Sequence, residues 1–360
     1  MARSEIISYS RLAEWTTCRY RWKLRYIDHI TRRMDFRAPT LGSAVHVGMA
    51  CGLLEKDYVA GIDQWKEEYL QKHILEIADG VDELIAETTG CLNQEIEDMT
   101  NEVASTAKEI TGRALKVFGP DQWEPVLFNK APMVEIELRV PIRGWGGYRG
   151  ILDLVAKEKS TGFVWVVDHK VRNQLQPVEA EEVNLQMVSY QYLALRHGIQ
   201  TIGSLTNQIL AKVPSIPQLN KNGTMSRARI ATDWSTYKQA LISNNLDPED
   251  YAEEMVDKLN VEFQRESRAY RSEEEVRNTW SNVIQKTAWD MTRKSPHYWR
   301  KMGHMNCQSC WARDFCLEEL RGGDTEYLLR GGGYMIDTGR EDINGKGESL
   351  DVSCASDRES

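Results

Sequence analysis

The stretch that most constrains the fold runs over residues 148–172, YRGILDLVAKEKSTGFVWVVDHKVR. It reads as two β-strands joined by a polar turn at 158–162. The first strand carries Asp153 within Gly-Ile-Leu-Asp-Leu-Val. The second, Phe163-Val-Trp-Val-Val, is an apolar run that ends in Asp168-His169-Lys170. Side chains two apart on a strand leave the same face, so Asp168 and Lys170 project together. An acid and a base at the end of so apolar a strand are costly unless they pair or hold a metal. If the hairpin brings Asp153 alongside, two carboxylates and one lysine surround a single point.

Metal-dependent phosphodiester hydrolysis needs such a set. Hard oxygen ligands suit magnesium or manganese, which lower the pKa of bound water and offset charge on the phosphate. A nearby lysine orients or deprotonates the water, or neutralises the transition state. The plainer alternative for D-x-K is an ion pair fraying into solvent at a strand end.

With 41% hydrophobic and 28% charged residues, the 360-residue chain has the composition of a soluble globular protein of one large domain or two smaller ones. No apolar run approaches the roughly 18 residues of a membrane span, and the N-terminus lacks a signal-peptide core. A cytoplasmic protein is therefore expected. The net charge of −9 argues against wholesale coating of nucleic acid. The charge is segregated, however: Lys and Arg dominate residues 1–37, and Asp and Glu dominate 50–110. A polyanion would be led to one side and repelled from the other.

Three cysteines fall together as Cys307-x2-Cys310-x5-Cys316, and Cys18 lies far upstream. In a reducing compartment such a cluster suggests a metal, and four thiolates suit either zinc or an iron–sulfur centre. Cys51 and Cys91 read as small buried hydrophobes, and Cys354 lies in a polar tail.

Along the chain, Ser10 reads as the cap of a helix whose Arg19, Arg21 and Arg25 interleave with Tyr20, Trp22 and Tyr26. That pattern either holds phosphates and stacks bases or puts aromatics in the core and arginines in water. Small residues after Leu41 open a second helix bearing His46. Acidic helices follow over about 50–118, then strands from Met133 through the hairpin. A helix over 179–197 places Gln186 and Tyr190 on one face, and a strand over 206–213 completes a core of about 130–213. Residues 214–229 read as an exposed loop, 248–303 as helix, and the region of about 245–320 as helical and cysteine-bearing. Residues 321–360 read as a disordered acidic tail.

Taken in order, the chain offers Gly42-x3-His46, Gly150-Ile-Leu-Asp153, Asp168-His-Lys170, Gln186-x3-Tyr190, and Cys18 with Cys307, Cys310 and Cys316. This set resembles the PD-(D/E)xK nucleases of the RecB-like type, specifically the iron–sulfur branch. That branch includes the AddB nuclease domain, the CRISPR-adaptation nucleases and related phage exonucleases. The resemblance covers roughly residues 8–320. It implies an α/β, restriction-endonuclease-like core over 1–320: a mixed central β-sheet flanked by helices, with helical insertions and an iron–sulfur staple joining the N- and C-terminal segments.

Carried over by position, the resemblance makes His46, Asp153 and Asp168 ligands of Mg or Mn, with the His169 backbone carbonyl completing the set. Lys170 becomes the catalytic lysine. Gln186 and Tyr190 fix the DNA strand and the catalytic geometry, alongside Arg19, Arg21 and Arg25 as DNA contacts. Cys18, Cys307, Cys310 and Cys316 hold a 4Fe–4S cluster, with zinc as the alternative. Asp168 stands where many relatives carry Glu, which bears on metal geometry. The activity implied is that of a metal-dependent DNA exonuclease acting on single-stranded ends in recombination, repair or phage DNA metabolism. No Walker A sequence is present, so a stand-alone nuclease or the nuclease subunit of an assembly with a helicase or recombination partner is expected. Two other readings are a non-catalytic DNA-binding accessory protein that keeps the fold, and a zinc-stapled interaction module. The presence of both acids and the lysine weighs against the former.

Overall fold

The computed structural model describes residues 5–32, 40–78, 86–259, 261–293, 297–331 and 333–336, the side chains of 72–93 excepted. Its strands are Ile6–Ser8 (β1), Ile30–Arg32 (β2), Trp123–Pro125 (β3), Leu127–Phe128 (β4), Ala131–Pro132 (β5), Val134–Val140 (β6), Gly147–Glu158 (β7), Val164–Arg172 (β8), Gly203–Leu210 (β9), Gln264–Tyr270 (β10) and Tyr334–Ile336 (β11). The helices begin with Tyr9–Thr17 (α1), Arg19–Tyr26 (α2), Leu41–Leu53 (α3), Tyr58–Ala78 (α4), Ala86–Val117 (α5) and Leu185–Arg196 (α6). They continue with Trp234–Ser243 (α7), Glu249–Lys258 (α8), Glu273–Thr279 (α9), Gln285–Asp290 (α10), His304–Cys307 (α11), Arg313–Leu320 (α12) and Thr325–Arg330 (α13).

The central sheet is mixed: β7, β8, β9 and β10 follow in that order, β1 pairs with β7 on the same edge as β8, and β3 and β6 pair along the other edge of β7. Its middle strands are covered on both faces, which is why β7 and β8 read as nearly unbroken apolar runs. On one face, α3 and the acidic α4–α5 layer bury Leu154, Ala156, Trp165 and Val167. On the other, α1, α6 and the α9–α10 segment bury Val155 and Val166. The α7–α8 insertion between β9 and β10 carries a small core of its own around Tyr237, Tyr251 and Met255.

The two ends of the chain meet in a fourth cluster, where Tyr20, Leu24 and Ile30 pack with Ala312, Phe315 and Tyr334. There β11 pairs with β2, and Tyr334 donates a hydrogen bond to the Trp311 carbonyl at 2.9 Å.

Several expectations are corrected. The first helix starts at Tyr9, not after Ser10, and its cap Ser8 makes no side-chain bond, because β1 feeds directly into it. The helix expected over 179–197 is a short 3₁₀ turn, Val178–Glu181, followed by α6, which Asn184 caps. The helical stretch 248–303 contains β10, whose charged residues suit a sheet edge and hid it from an apolar-run reading. The tail does not begin at 321: α13 and β11 are formed, and Tyr334 is buried because it fills the terminal cluster. Residues 337–360 lie outside the described residues. Cys51 is fully buried, as a small hydrophobe would be, but is disulfide-bonded rather than a free thiol. The Cys91 side chain and Cys354 lie outside the described residues.

Candidate active site

A fork in the sheet creates the site. Along one edge β7 pairs with β6. Along the other, Gly147–Arg149 pair with β1 and Leu154–Lys157 with β8. Residues 150–153 have neither neighbour on that edge. Beyond Val167, β8 leaves β7 yet stays paired with β9, Asp168 lying beside Thr206 and Lys170 beside Gln208. The His169 amide, freed from the β7 ladder, donates instead to Asp153 Oδ2 at 2.7 Å. The hairpin therefore brings Asp153 to the Asp168–Lys170 pair through a backbone bond that crosses the fork.

Lys170 Nζ lies 2.9 Å from Asp168 Oδ1. Asp168 is only 1% exposed, and its Oδ2 has no hydrogen-bond partner among the described residues. From α3, whose N-terminus Thr40 caps by accepting from the Ser43 amide, His46 Nδ1 reaches within 3.5 Å of Asp153 Oδ2 and 3.6 Å of Glu135 Oε1. Ligand atoms of His46, Glu135 and Asp153 lie within 4.8 Å of one another. On α6, Gln186 Nε2 donates to Tyr190 Oη at 2.9 Å. Gly150 lets that helix close on β7, since a Cβ there would stand 2.7 Å from Tyr190 and Leu193 carbons.

Glu135 is the functional candidate that sequence reasoning missed. In the alternation of β6 its position reads as the solvent side, yet its side chain is only 8% exposed. The residue opposes Asp153 between the paired Val134–Leu154 and Ile136–Leu152, at φ 49°. A non-glycine residue in the left-handed region is strained, and such strain gathers at functional sites. The alternation of β6 gives no hint of this turn.

Charge is crowded into little water. Burial, then the neighbouring Asp153, push Asp168 up to about 6, against Lys170 and His46. Burial likewise raises Asp153, with His46 opposing. For His46, burial alone would lower the pKa, but Asp153, Glu135 and Asp168 override it and lift it to about 9. Lys170 is also raised, the two aspartates outweighing burial. Its ammonium therefore stays charged.

His169 behaves differently: burial, His46 and Lys170 hold it down to about 3. Its ring meets Asn207 Nδ2 through Nδ1 at 3.0 Å, and Asn207 Oδ1 accepts from Gln264 at 2.8 Å. That chain makes Asn207 the donor and leaves the imidazole proton on Nε2. The side chain of His169 is thus no ligand.

Glu135 and Asp153, the two carboxylates that converge with His46, suit a hard divalent cation, and Asp168 adds a buried carboxylate with an oxygen unpartnered among the described residues. His46, Glu135, Asp153 and Asp168 could hold it. Farther along β8, Arg172 adds a second cation, its Nε buried without a hydrogen-bond partner among the described residues.

The remaining candidates lie elsewhere. Arg19 pairs with Asp290 at 2.6 Å and Arg21 with Glu14 at 2.7 Å, while Arg25 stands over the Trp311 ring at 5.7 Å. All three guanidiniums are engaged within the protein. Cys18, Cys307, Cys310 and Cys316 are free, half-buried thiols, and Cys18, Cys310 and Cys316 line the terminal cluster. The four do not form a convergent ligand group among the described residues, where His46, Glu135 and Asp153 do. No described helix is long and apolar enough to cross a membrane.

The family model of the PD-(D/E)XK nuclease superfamily matches residues 6–317. No curated protein matches the chain. Among solved structures, "Crystal structure of SSO0001" is similar at 12% identity, covering 70% of this chain and 96% of that one with a TM-score of 0.29. That overlap is too loose to carry an argument.

Proposed function

This chain belongs to the PD-(D/E)XK nuclease superfamily, a family of metal-dependent nucleases, and from that premise we propose that it hydrolyses DNA as an exonuclease on single-stranded ends. Recombination, repair or phage DNA metabolism would supply such ends, with a helicase or recombination protein as partner. The observation that carries the hydrolytic reading is the convergence of His46, Glu135 and Asp153 beside the Asp168–Lys170 pair.

Bound magnesium or manganese would lower the pKa of a water and offset charge building on the phosphate. His46, Glu135, Asp153 and Asp168 supply donors for it, with the His169 carbonyl as a further one. Lys170, kept protonated by the two aspartates, presents positive charge where the phosphate gains negative charge. Tyr190 keeps its own proton, because burial and the charge of Asp168 raise its pKa. It can therefore donate to a phosphate oxygen or a base edge while Gln186 holds its oxygen. Hydrolysis adds water across one P–O bond, leaving a phosphate monoester on one fragment and a hydroxyl on the other.

We assign Cys18, Cys307, Cys310 and Cys316 to a 4Fe–4S cluster, with zinc as the alternative occupant. Supporting this, the thiols are free and belong to two chain segments that meet at the terminal cluster.

End-labelled single- and double-stranded DNA, incubated with Mn²⁺ or with EDTA, tests the reading. Metal-dependent shortening from a single-stranded end is expected, and its loss in Lys170→Ala with DNA binding retained. Cleavage that survives EDTA, or a Lys170→Ala protein at wild-type rate, would falsify the assignment.

A further inference from the structure

We propose that Glu181 and Arg271 are positioning residues for cleavage: a buried clamp that fixes the helix bearing Gln186 and Tyr190 against the strand bearing Asp168 and Lys170. The proposal rests on the nuclease reading above. The segment 173–184 joins those two elements in sequence, and ordinary loop chemistry would leave their relation loose. Here it is bolted to the sheet.

Glu181 is buried and faces three donors. Ser204 Oγ donates to Oε1 at 2.7 Å, while Thr206 Oγ1 at 2.6 Å and Asn184 Nδ2 at 3.0 Å donate to Oε2. Each donor has a place in the site's architecture. Asn184 is the N-cap of α6, accepting from the Met187 amide at 3.4 Å. Thr206 lies beside Asp168 in the β8–β9 register. One carboxylate thus ties the cap of the Gln186–Tyr190 helix to the neighbour of a site acid.

Arg271, at the end of β10 and buried too, closes the clamp from the other side. It donates to Ser204 Oγ at 2.6 Å, to Gln191 Oε1 on α6 at 3.0 Å, and to the carbonyls of Glu181 and of Glu182, the latter at 3.2 Å. A second bolt holds the start of the segment. Gln208, beside Lys170 in register, accepts from the Gln176 amide at 2.7 Å and donates to its carbonyl at 3.2 Å.

The guanidinium meets the Glu181 carbonyl rather than its carboxylate, and burying an acid and a base in this way is often no more stabilising than apolar packing of the same volume, so stability alone does not account for this network. What it adds is directional. A shift of about 1 Å in a positioning group can cost on the order of a hundredfold in rate. Neither Glu181 nor Arg271 stood out in the sequence.

Thr206→Val keeps shape and β-propensity while removing one bond, and Glu181→Gln keeps volume while removing the charge. With both variants held well below their melting temperatures, the single-turnover rate on single-stranded DNA should fall about tenfold or more. The half-saturating DNA and Mn²⁺ concentrations should stay within about twofold, since no ligand contact is lost. Amide hydrogen exchange across 185–190 should quicken in both variants, with α3 unchanged. Glu181→Gln in the Thr206→Val background should cost less than in the wild type, because they share one interaction. Unchanged rates with a lowered melting temperature would reduce the clamp to a structural role, and unchanged exchange at 185–190 would remove the clamp itself. Absence of metal-dependent cleavage in the wild type would instead overturn the nuclease reading, with hydrogen exchange still judging the clamp.

Discussion

His46 holds a proton in the metal-free site up to about pH 9, and a histidine coordinates only when neutral. Asp168 is lifted from 3.8 to about 6 and His46 from 6.5 to about 9. Each group therefore binds more protons folded than unfolded within its window, so by linkage stability falls as pH rises through it. In EDTA the melting temperature should drop between pH 6.5 and 9, whereas below 6.5 the downward shift of His169 opposes the upward shift of Asp168. His46→Gln should remove that drop. Saturating Mn²⁺ should raise the melting temperature most at the alkaline end, where its ligands are already deprotonated. A melting temperature in EDTA that climbs from pH 7 to 9 in the wild type alone would contradict these charges. Glu135 gives a second test at this scale: Glu135→Gln should weaken Mn²⁺ binding about tenfold by calorimetry and leave the melting temperature in EDTA no lower. Asp153, Asp168 and Lys170 stood out as candidates because charge inside or at the end of an apolar run is conspicuous, although β8 itself continues to Arg172. Glu135 was not, because a left-handed backbone turn leaves no mark in an alternating strand. The pairing of Arg19 with Asp290 was hidden for another reason: its partner is remote in sequence.

At the scale of elements, α6 lies close against Gly150, in the stretch of β7 where the fork opens. A Cβ there meets ring and methyl carbons of Tyr190 and Leu193, and overpacking of this kind costs about 1–3 kcal/mol. Gly150→Ala should lower stability by that amount in urea unfolding and push Tyr190 outward. Cleavage should then fall further than stability does. A Gly150→Ala enzyme that melts early but cleaves normally would show that Tyr190 has no part in the reaction. The hairpin and the body of α6 could be read from sequence because apolar runs are local signals, whereas the start of α6 at Leu185, set by the Asn184 cap, was missed. The edge strand β10 could not, since QRESRAY has no apolar run and owes its conformation to pairing with β9. The fork itself is a matter of register, which depends on β1 and β9 together, and neither reveals its partner in its own residues.

Across the whole molecule, the N- and C-terminal segments meet through apolar contact whatever the cysteines hold. Tyr20, Leu24 and Ile30 pack with Ala312, Phe315 and Tyr334, and Tyr20 is further held by Glu319 and covered by Arg300. The proposed cluster at Cys18, Cys307, Cys310 and Cys316 would thus reinforce a junction that already exists. A metal that closes so long a loop contributes its binding free energy to folding. Apolar contacts across the same junction make its loss graded rather than complete. Cys18→Ser should therefore stay folded with a lower melting temperature, and Tyr334→Ala alone should cost about 3 kcal/mol. Together they should cost more than the sum, because each removes what still holds the ends when the other is gone. Ending the chain at 321 should act like Tyr334→Ala or worse, since it removes α13 and β11. Protein prepared without oxygen and assayed for iron, acid-labile sulfide and zinc identifies the occupant. Zinc without sulfide would replace the iron–sulfur cluster by a zinc site. A Cys18→Ser protein with full metal content and unchanged melting, alone and with Tyr334→Ala, would take Cys18 out of the ligand set and leave the junction to its apolar contacts.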